Sequence, residues 1–426
     1  MLLMLFISFL ILLFINTPVA FAMGIASLLA VWLKSDLPLN MLVTRMFVAV
    51  DSFPLMAIPF FIMAGNIMNA AGITKKIVDF SRSLVGYIRG GLAHVNIVAS
   101  MFFAGISGSA TADASALGSM LIPIMVEDNY SPEFSVAVTA TSSTIGPIIP
   151  PSIMMVIYGV ISNISIAALF LGGFIPGILV GIALMIMSYF ISVKRGYGTV
   201  CAFSIKNIWV NFKRALIALM MPVIILGGVL SGVFTATEAG VVATVYAIII
   251  GLFVYRTIKF KDLPKLFINS AVITTICLFV IATASIFGWL LAWEGFPEII
   301  LNLLLKISEN PKNIQILIIV FILLLGLFIE GIPVLIIFAP IFIPVMSHFG
   351  LDLLHFGIIF IMAILIGSVT PPVGILLYIC CGIAKIPVSK ASKIIWPFVF
   401  MMILVLFLCI LFPPLTTFIP KIAGYR

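Results

Sequence analysis

Apolar residues dominate twelve stretches of this chain, near 2–15, 18–33, 48–70, 92–126, 132–160, 164–192, 215–231, 237–254, 266–293, 313–347, 352–383 and 394–418. Short polar loops separate them, the pattern of membrane-spanning helices rather than of a barrel. The first, about 14 residues long, is short for a crossing that needs ~20. Two stretches, 92–126 and 313–347, are too long for one crossing and break near the middle, at Gly105-Ile-Ser-Gly and between Gly326 and Gly331. They predict helical hairpins that enter and leave on the same side. Ten crossings remain, in two groups of five. Within them, 132–160 and 352–383 are interrupted by glycine and a Pro-Pro pair, and predict broken helices.

The interruptions repeat at a fixed offset of 221 residues. Gly105 and Ile122-Pro123-Ile124-Met125 answer Gly326 and Ile343-Pro344-Val345-Met346; Ile145-Gly146 and Pro150-Pro151 answer Ile366-Gly367 and Pro371-Pro372. Gly65 and Gly72 answer Gly288 and Gly295 at offset 223, and Thr17 answers Thr237 at offset 220. The fold class is therefore an all-α polytopic membrane protein built as an inverted-repeat transporter. Residues 1–214 form the first repeat and 215–426 the second. Five crossings separate the hairpins, an odd number, so the two dip in from opposite faces. Glycine- and proline-broken segments at matching positions of two halves point to a transporter's binding site.

Composition agrees with a bilayer: 63% of residues are hydrophobic and 8% charged, where a soluble domain carries about a quarter. The net charge of +8 raises a nucleic-acid reading, but the basic residues sit in short loops. With the N-terminus outside, loops 71–91, 193–214, 255–265 and 384–393 fall inside and hold 16 of the 22 Lys and Arg, which orients the chain. Both termini are then periplasmic. Met1 to Leu33 lacks the positive start of a signal peptide, its first charge being Lys34, and Asn16-Thr17-Pro18 predicts a turn. The scattered cysteines, including Cys201 and vicinal Cys380-Cys381, make no metal or disulfide framework. Trp289, Trp293 and Trp396 are candidate interface anchors.

A broken helix in lipid exposes backbone groups, which survive only in protein or a wet cavity. Carbonyls at a half-helix C-terminus suit Na⁺, and free N–H groups at a half-helix N-terminus suit a carboxylate. Around the first tip cluster Ser107, Ser109, Thr111, Asp113 and Ser115, followed by Thr141, Ser142, Ser143 and Thr144 before Gly146. Ser107, Ser142, Ser143, Thr144 and Gly146 are candidate ligands for a first sodium ion. Gly326, Gly331, Gly367, Ser368 and Thr370 are candidates for a second, poorer in hydroxyls and leaning on carbonyls. Ser107, Gly108, Ser109, Thr111 and Asp113 are candidates for binding an anionic cargo, with Pro150 and Pro371 opening the second half of each broken helix. No arginine lies near either tip, so helix N-termini and hydroxyls are expected to hold the carboxylate. The structural alternatives are close packing by small hydroxylated residues and, for the acids Asp113 and Glu330, helix capping. Asp51 and Glu238, near span ends, read as structural, and His94, His348 and His355 are scattered.

Gly105-Ile106-Ser107-Gly108 also matches the Gly-x-Ser-Gly pattern of intramembrane serine proteases, but no later span offers a histidine in a comparable setting. No phosphate-binding loop of the Gly-x-x-x-x-Gly-Lys-Ser/Thr type is present, so the driving force comes from an ion gradient or a partner.

Four motifs in order carry a family resemblance: Gly105-Ile-Ser-Gly-Ser-Ala-Thr-Ala-Asp-Ala-Ser-Ala-Leu-Gly, Ile145-Gly-Pro-Ile-Ile-Pro-Pro-Ser, Phe234-Thr-Ala-Thr-Glu-Ala-Gly and Val369-Thr-Pro-Pro-Val-Gly. Together they resemble the large membrane subunit of tripartite ATP-independent periplasmic (TRAP) transporters, along essentially the whole chain. The family pattern commonly has proline where Ala236 stands. The resemblance implies a sodium-driven, elevator-type importer in the bacterial inner membrane. It implies as partners a smaller four-helix membrane subunit and a periplasmic binding protein, with no role for nucleic acid. The implied cargo is an organic acid anion, either a C4-dicarboxylate or a sialic acid, whose branch the chain also resembles. A stand-alone sodium–dicarboxylate symporter of similar architecture is the alternative within transport.

Overall fold

A computed structural model describes residues 1–15, 17–34, 37–199 and 202–425. Asn16 of the predicted turn, Cys201, Arg426 and the Lys34 side chain lie outside the described residues. The described chain is helical and carries no strand. In lipid an α-helix satisfies its own backbone groups, which accounts for this uniformity.

The first half runs α1 Leu2–Phe14, α2 Val19–Lys34, α3 Asn40–Val50, a 3₁₀ turn Phe53–Met56 entering α4 Ala57–Ala70, and α5 Ile73–Val85. The first hairpin is α6 Gly91–Ser107 with α7 Ala110–Glu127; the first broken helix is α8 Pro132–Ser143 with α9 Ile153–Ser162; α10 Ile166–Arg195 closes the half. The second half runs α11 Ile205–Leu230, α12 Ala236–Ile249 with a π-helical end, α13 Leu263–Trp293 and α14 Phe296–Ile307. Its hairpin is α15 Pro311–Gly326 with α16 Gly331–His348, and its broken helix is α17 Leu353–Gly367 with α18 Ile375–Ala384; α19 Val388–Leu411 and α20 Pro414–Ile422 follow.

Both hairpins and both broken helices thus fall where the apolar pattern put them. Three details differ. The 48–70 stretch is divided, because α3 stops at Asp51 and Pro54 opens the helix that continues to Ala70. Two helices, α5 and α14, occupy segments assigned to loops. On α5 the buried Ile73, Ile77 and Phe80 share one face while Lys75, Lys76 and Asp79 interrupt the run, so no window of this length reads as apolar. Gly72 and Gly295, paired by the repeat, both precede these helices in the left-handed region, at φ 72° and 67°. Third, α11 begins at Ile205, so a boundary at 214/215 cuts through it; Lys206, Lys213 and Arg214 among apolar residues hid its first turns.

Among the described residues, seven single helices are long and apolar enough to cross a membrane, one of them the hairpin arm α16. α1, at 13 residues, reaches about 20 Å along its axis, short of the ~30 Å hydrocarbon core. The first halves of the broken helices are central: Phe134–Ser143 of α8 and His355–Gly367 of α17 are buried on every side. Around them, α1, α3, α11 and α13 expose apolar faces such as Leu3, Phe14, Phe47, Val223 and Ile276. Trp293 and Trp396 are exposed in the same way, whereas Trp289 stacks under the Arg45 guanidinium at 4.8 Å and lines a half-open cavity. Glu238 closes a capping box, its carboxylate accepting from the Thr235 amide at 2.8 Å.

The halves pack reciprocally. α7 of the first hairpin lies against α18 of the second broken helix, and α16 of the second hairpin against α9 of the first. α4 packs on α12 while α2 packs on α13, and α8 on α19 while α10 packs on α17. Such exchanged partners are what a pseudo-twofold between two repeats produces.

Glycine sets the closest approach of this centre. A Cβ on Gly367 would lie 2.6 Å from the Gly326 Cα and 2.7 Å from the Leu323 carbonyl. Gly367→Ala is predicted to lower stability by ~1–3 kcal/mol through overpacking of backbone. Gly382→Ala, where a Cβ meets nothing within 4 Å, is the control. Thermal unfolding in detergent checks this; equal midpoints for the two variants would contradict it.

Candidate functional site

Each hairpin tip rests on the break of its own repeat. Gly108 ends α6 in the left-handed region, and a Cβ there would sit 2.5 Å from the Pro151 carbonyl. Ser109 then starts α7, its hydroxyl facing the Ala112 amide at 3.5 Å. Asp113, in the first turn of α7, is fully buried. One carboxylate oxygen accepts from the Ser107 hydroxyl; the other has no hydrogen-bond partner. That second oxygen faces Gly146, where a Cβ would lie 3.1 Å from the Asp113 Cγ and 3.3 Å from the Ser143 carbonyl. A buried carboxylate oxygen without a donor is costly unless a proton or cation compensates it. The Ser143 carbonyl beside the same glycine is an oxygen of the kind a hard cation takes as ligand.

The second tip is built differently. α15 and α17 touch backbone to backbone at Gly326 and Gly367, and α16 starts at Gly331 against Met154 of α9. Ser368 and Thr370 turn their hydroxyls back to the Leu365 and Ile366 carbonyls, at 2.7 and 2.6 Å. The Gly367 carbonyl accepts from the Thr370 amide at 3.0 Å. The position equivalent to Asp113 is Val334, so no acid is buried behind this tip; its acid, Glu330, stands at the tip itself.

The prolines do not open helices. Both Pro-Pro bonds are cis and lie in the linkers; α9 starts at Ile153 behind the cap Ser152, and α18 at Ile375 behind Gly374. The side-chain cap decides the start: the Ser152 hydroxyl accepts from the Met155 amide at 3.3 Å. The Leu376 amide is spent on the Ser368 carbonyl at 3.1 Å.

The tips share a cavity. A small space of about 50 Å³ is bounded by Gly108, Ser109 and Thr111 of the first tip, Glu330 and Gly331 of the second, and Ser368. Ser109, Thr111 and Glu330 also line a larger cavity of about 670 Å³, together with Ser107, Asn66 and Asn69. An adjoining space of about 580 Å³ carries it to Ala70 and Leu266, at the ends of α4 and α13 next to loops 71–91 and 255–265. Ser107, Gly108, Ser109, Thr111, Gly331 and Ser368 therefore come together around these spaces. Asp113, Ser143 and Gly146 lie behind the first tip; Pro150 and Pro371 border neither cavity. Thr144 donates to the Thr141 carbonyl at 2.7 Å.

Ser142 points away from the tip, into a buried network that the sequence pattern did not suggest. It exchanges hydrogen bonds with Ser100 at 3.0 Å and Asn96 at 3.3 Å, and Asn96 donates to Thr139 at 2.6 Å. The signal was Asn96 and Ser100 four apart in an apolar run, which places them on one helix face. Asn66 and Asn69 of α4 were missed likewise. His94 sits at the far end of α6 near the Arg89 carbonyl, and Ser107 is engaged by Asp113, so the serine-protease pattern assembles no nucleophile here.

A family model described as tripartite ATP-independent periplasmic transporter, DctM component, matches residues 6–415. The sialic acid TRAP transporter large permease protein SiaM of Vibrio cholerae is 41% identical, over 97% of this chain and 97% of that protein. The sialic acid TRAP transporter permease protein SiaT of Haemophilus influenzae is 38% identical, over 97% of this chain and 67% of that protein. Among solved structures, the YdaH transporter of Alcanivorax borkumensis shares the fold, with a TM-score of 0.59 at 14% identity, over 87% of this chain and 86% of that one.

Asn96→Leu removes one donor and one acceptor from the α6–α8 network and is predicted to cost ~1–3 kcal/mol. Exposed Ser115→Ala, on the cavity wall, should be neutral. Thermal unfolding distinguishes them; a wild-type midpoint for Asn96→Leu would contradict the network's role.

Proposed function

The chain belongs to the DctM component family of tripartite ATP-independent periplasmic transporters, and we propose that it imports an organic acid anion by sodium-coupled, elevator-type movement. Membership makes it a multi-pass transporter subunit of the bacterial inner membrane rather than an enzyme. The reading rests on one observation: two hairpin tips and two helix breaks converge on a shared cavity at the centre of the fold.

In this reading the Asp113 oxygen facing Gly146 and the Ser143 carbonyl takes one sodium ion, with Ser107 orienting the carboxylate. The glycine-lined approach of Gly326, Gly331 and Gly367, with Ser368 and Thr370, takes a second. Cargo binds between the tips and in the larger cavity, against Ser109, Thr111 and the first-turn amides of α7. The two repeats, near residues 1–200 and 205–426, supply hairpins and broken helices to a mobile body, while α2, α4, α12 and α13 form the stationary frame. A small four-helix membrane subunit joins that frame, and a periplasmic binding protein delivers the cargo. The bias of basic loops supports periplasmic termini. Loops 71–91 and 255–265 are then cytoplasmic, and the 670 Å³ cavity faces inward.

Proteoliposomes holding the chain with its small subunit, assayed with and without the binding protein, test this. Uptake of a sialic acid or another organic acid should require both sodium and the binding protein; uptake without the binding protein would favour a stand-alone symporter. Ser107→Ala, Thr370→Ala and Gly146→Ala are predicted to raise the sodium concentration for half-maximal uptake, Gly146→Ala most, by about tenfold or more because its Cβ would fill the space beside the Asp113 oxygen. An unchanged sodium dependence in all three would overturn the ion sites.

A further inference from the structure

Gly65, Asn66 and Asn69 of α4 wall the 670 Å³ cavity, and their equivalents on α13 at offset 223 are Gly288, Trp289 and Ala292. Those three line a separate, half-open cavity of about 440 Å³, shared with α3, α9 and α16. Duplication has thus produced two cavities at matching places, and their walls differ. Where the first has two carboxamides, the second has an indole and a methyl group. Ser52, Ser285 and the indole N–H are the polar side-chain groups of this wall, and among the described residues no charged one lines it. The matched glycines differ in the same sense. A Cβ on Gly65 would press on the Ser107 backbone at 3.3 Å, but one on Gly288 would meet only Pro340, at an ordinary 3.7 Å. The first repeat closes this contact and the second leaves it open.

An apolar space gives water too few partners to hold it, so the fitting occupant is apolar. The mouth lies beside Val48, which lines the cavity and is 63% exposed. Phe47 next to it and Trp293 are exposed as well, as side chains facing lipid are. Arg45 stands one helical turn away. Being three and four residues before Val48 and Ala49, it shares their face of α3. Its guanidinium lies over the Trp289 ring, 4.8 Å from the centre, which fixes the cation against a wall residue of the cavity. Arg45 is exposed and forms no ion pair among the described residues. A guanidinium held by a ring still has N–H donors to give, in the fork that suits a phosphate. Arg45 is also one of the six basic residues outside the four basic loops, so the bias that orients the chain does not account for it.

We propose that this cavity is a phospholipid site: the phosphate binds Arg45, and one acyl chain enters past Val48 to lie between α13 and the facing α9 and α16. The lipid is anionic, of the phosphatidylglycerol class, because the site presents one cation and its wall holds no carboxylate to pair with a headgroup ammonium. With periplasmic termini, the site belongs to the outer leaflet of the inner membrane.

Native mass spectrometry of the delipidated chain with its small subunit, titrated with dioleoyl phosphatidylglycerol or dioleoyl phosphatidylcholine, tests this. The first phosphatidylglycerol should bind about tenfold or more tighter than the first phosphatidylcholine, the margin that hydrogen bonds to a charged group supply. Arg45→Gln should erase that margin, and Arg45→Lys, which keeps the charge without the fork, should keep part of it. Gly288→Leu, which grows a side chain into the space, should weaken both lipids by about fourfold or more, the worth of one buried methylene. Unfolding midpoints without lipid should match the wild type in all three variants. Equal affinity of the wild type for the two lipids, or an unchanged preference in Arg45→Gln, would overturn the proposal. Loss of the preference in Arg45→Gln with wild-type binding in Gly288→Leu would also overturn it, leaving a surface charge with no chain in the cavity. Binding of neither lipid would overturn it too; binding regained by the chain freed of its small subunit would then assign the mouth to that subunit.

Discussion

Backbone polar groups cannot be left open to hydrocarbon, and this constraint organises the centre of the molecule. Each interruption of a helix is covered by another interruption. Gly108 of the first hairpin lies on the Pro151 carbonyl, and Gly326 of the second lies on Gly367. Side chains larger than hydrogen would hold these backbones apart. The hydroxyls near the breaks satisfy carbonyls of the preceding turn, as Ser143, Thr144, Ser368 and Thr370 do, so the broken ends stay closed without a continuous helix.

Duplication supplied two such centres, and the chain has made them chemically unlike. Behind the first tip lie Asn96, Ser100, Thr139 and Ser142; their equivalents in the second repeat are Leu317, Phe321, Phe360 and Ala363. Where one half holds a polar network the other holds apolar side chains, of which Phe321 meets Phe338 and Phe342 at 5.7 and 6.0 Å. Asp113 answers to Val334, and Ser109 to Glu330. Acidic charge thus sits behind the tip in one repeat and at the tip in the other. A symmetric frame thus holds two tips of different chemistry, an acid buried behind the first and an acid exposed at the second.

Much of this was legible from residues alone. Both hairpins, both broken helices and their pairing follow from glycine and proline at matched spacings, because those residues act on the backbone locally. Ser107, Ser109 and Thr111, which line the cavity, stand out in the sequence because hydroxyls crowd beside a glycine. Local cues failed where the outcome depended on tertiary contact. Helices α5 and α14 hide in mixed segments because only one face is buried, and α14 meets α15 at a 117° bend. Pro150 and Pro371 looked like helix starts, but the capping residue, two or three positions later, sets the start. Asn66 and Asn69 become wall residues only when α4 is laid beside the first hairpin, which no spacing reveals.

The central claim is that the hairpins reach a common cavity from opposite faces of the membrane. Single cysteines at Glu127 and Ser347, the outer ends of α7 and α16, placed in a background lacking the five native cysteines, test it most directly. With a membrane-impermeant thiol reagent on intact and on inverted vesicles, residue 127 should label from the cytoplasmic face alone and residue 347 from the periplasmic face alone. Labelling of both from one face would contradict it.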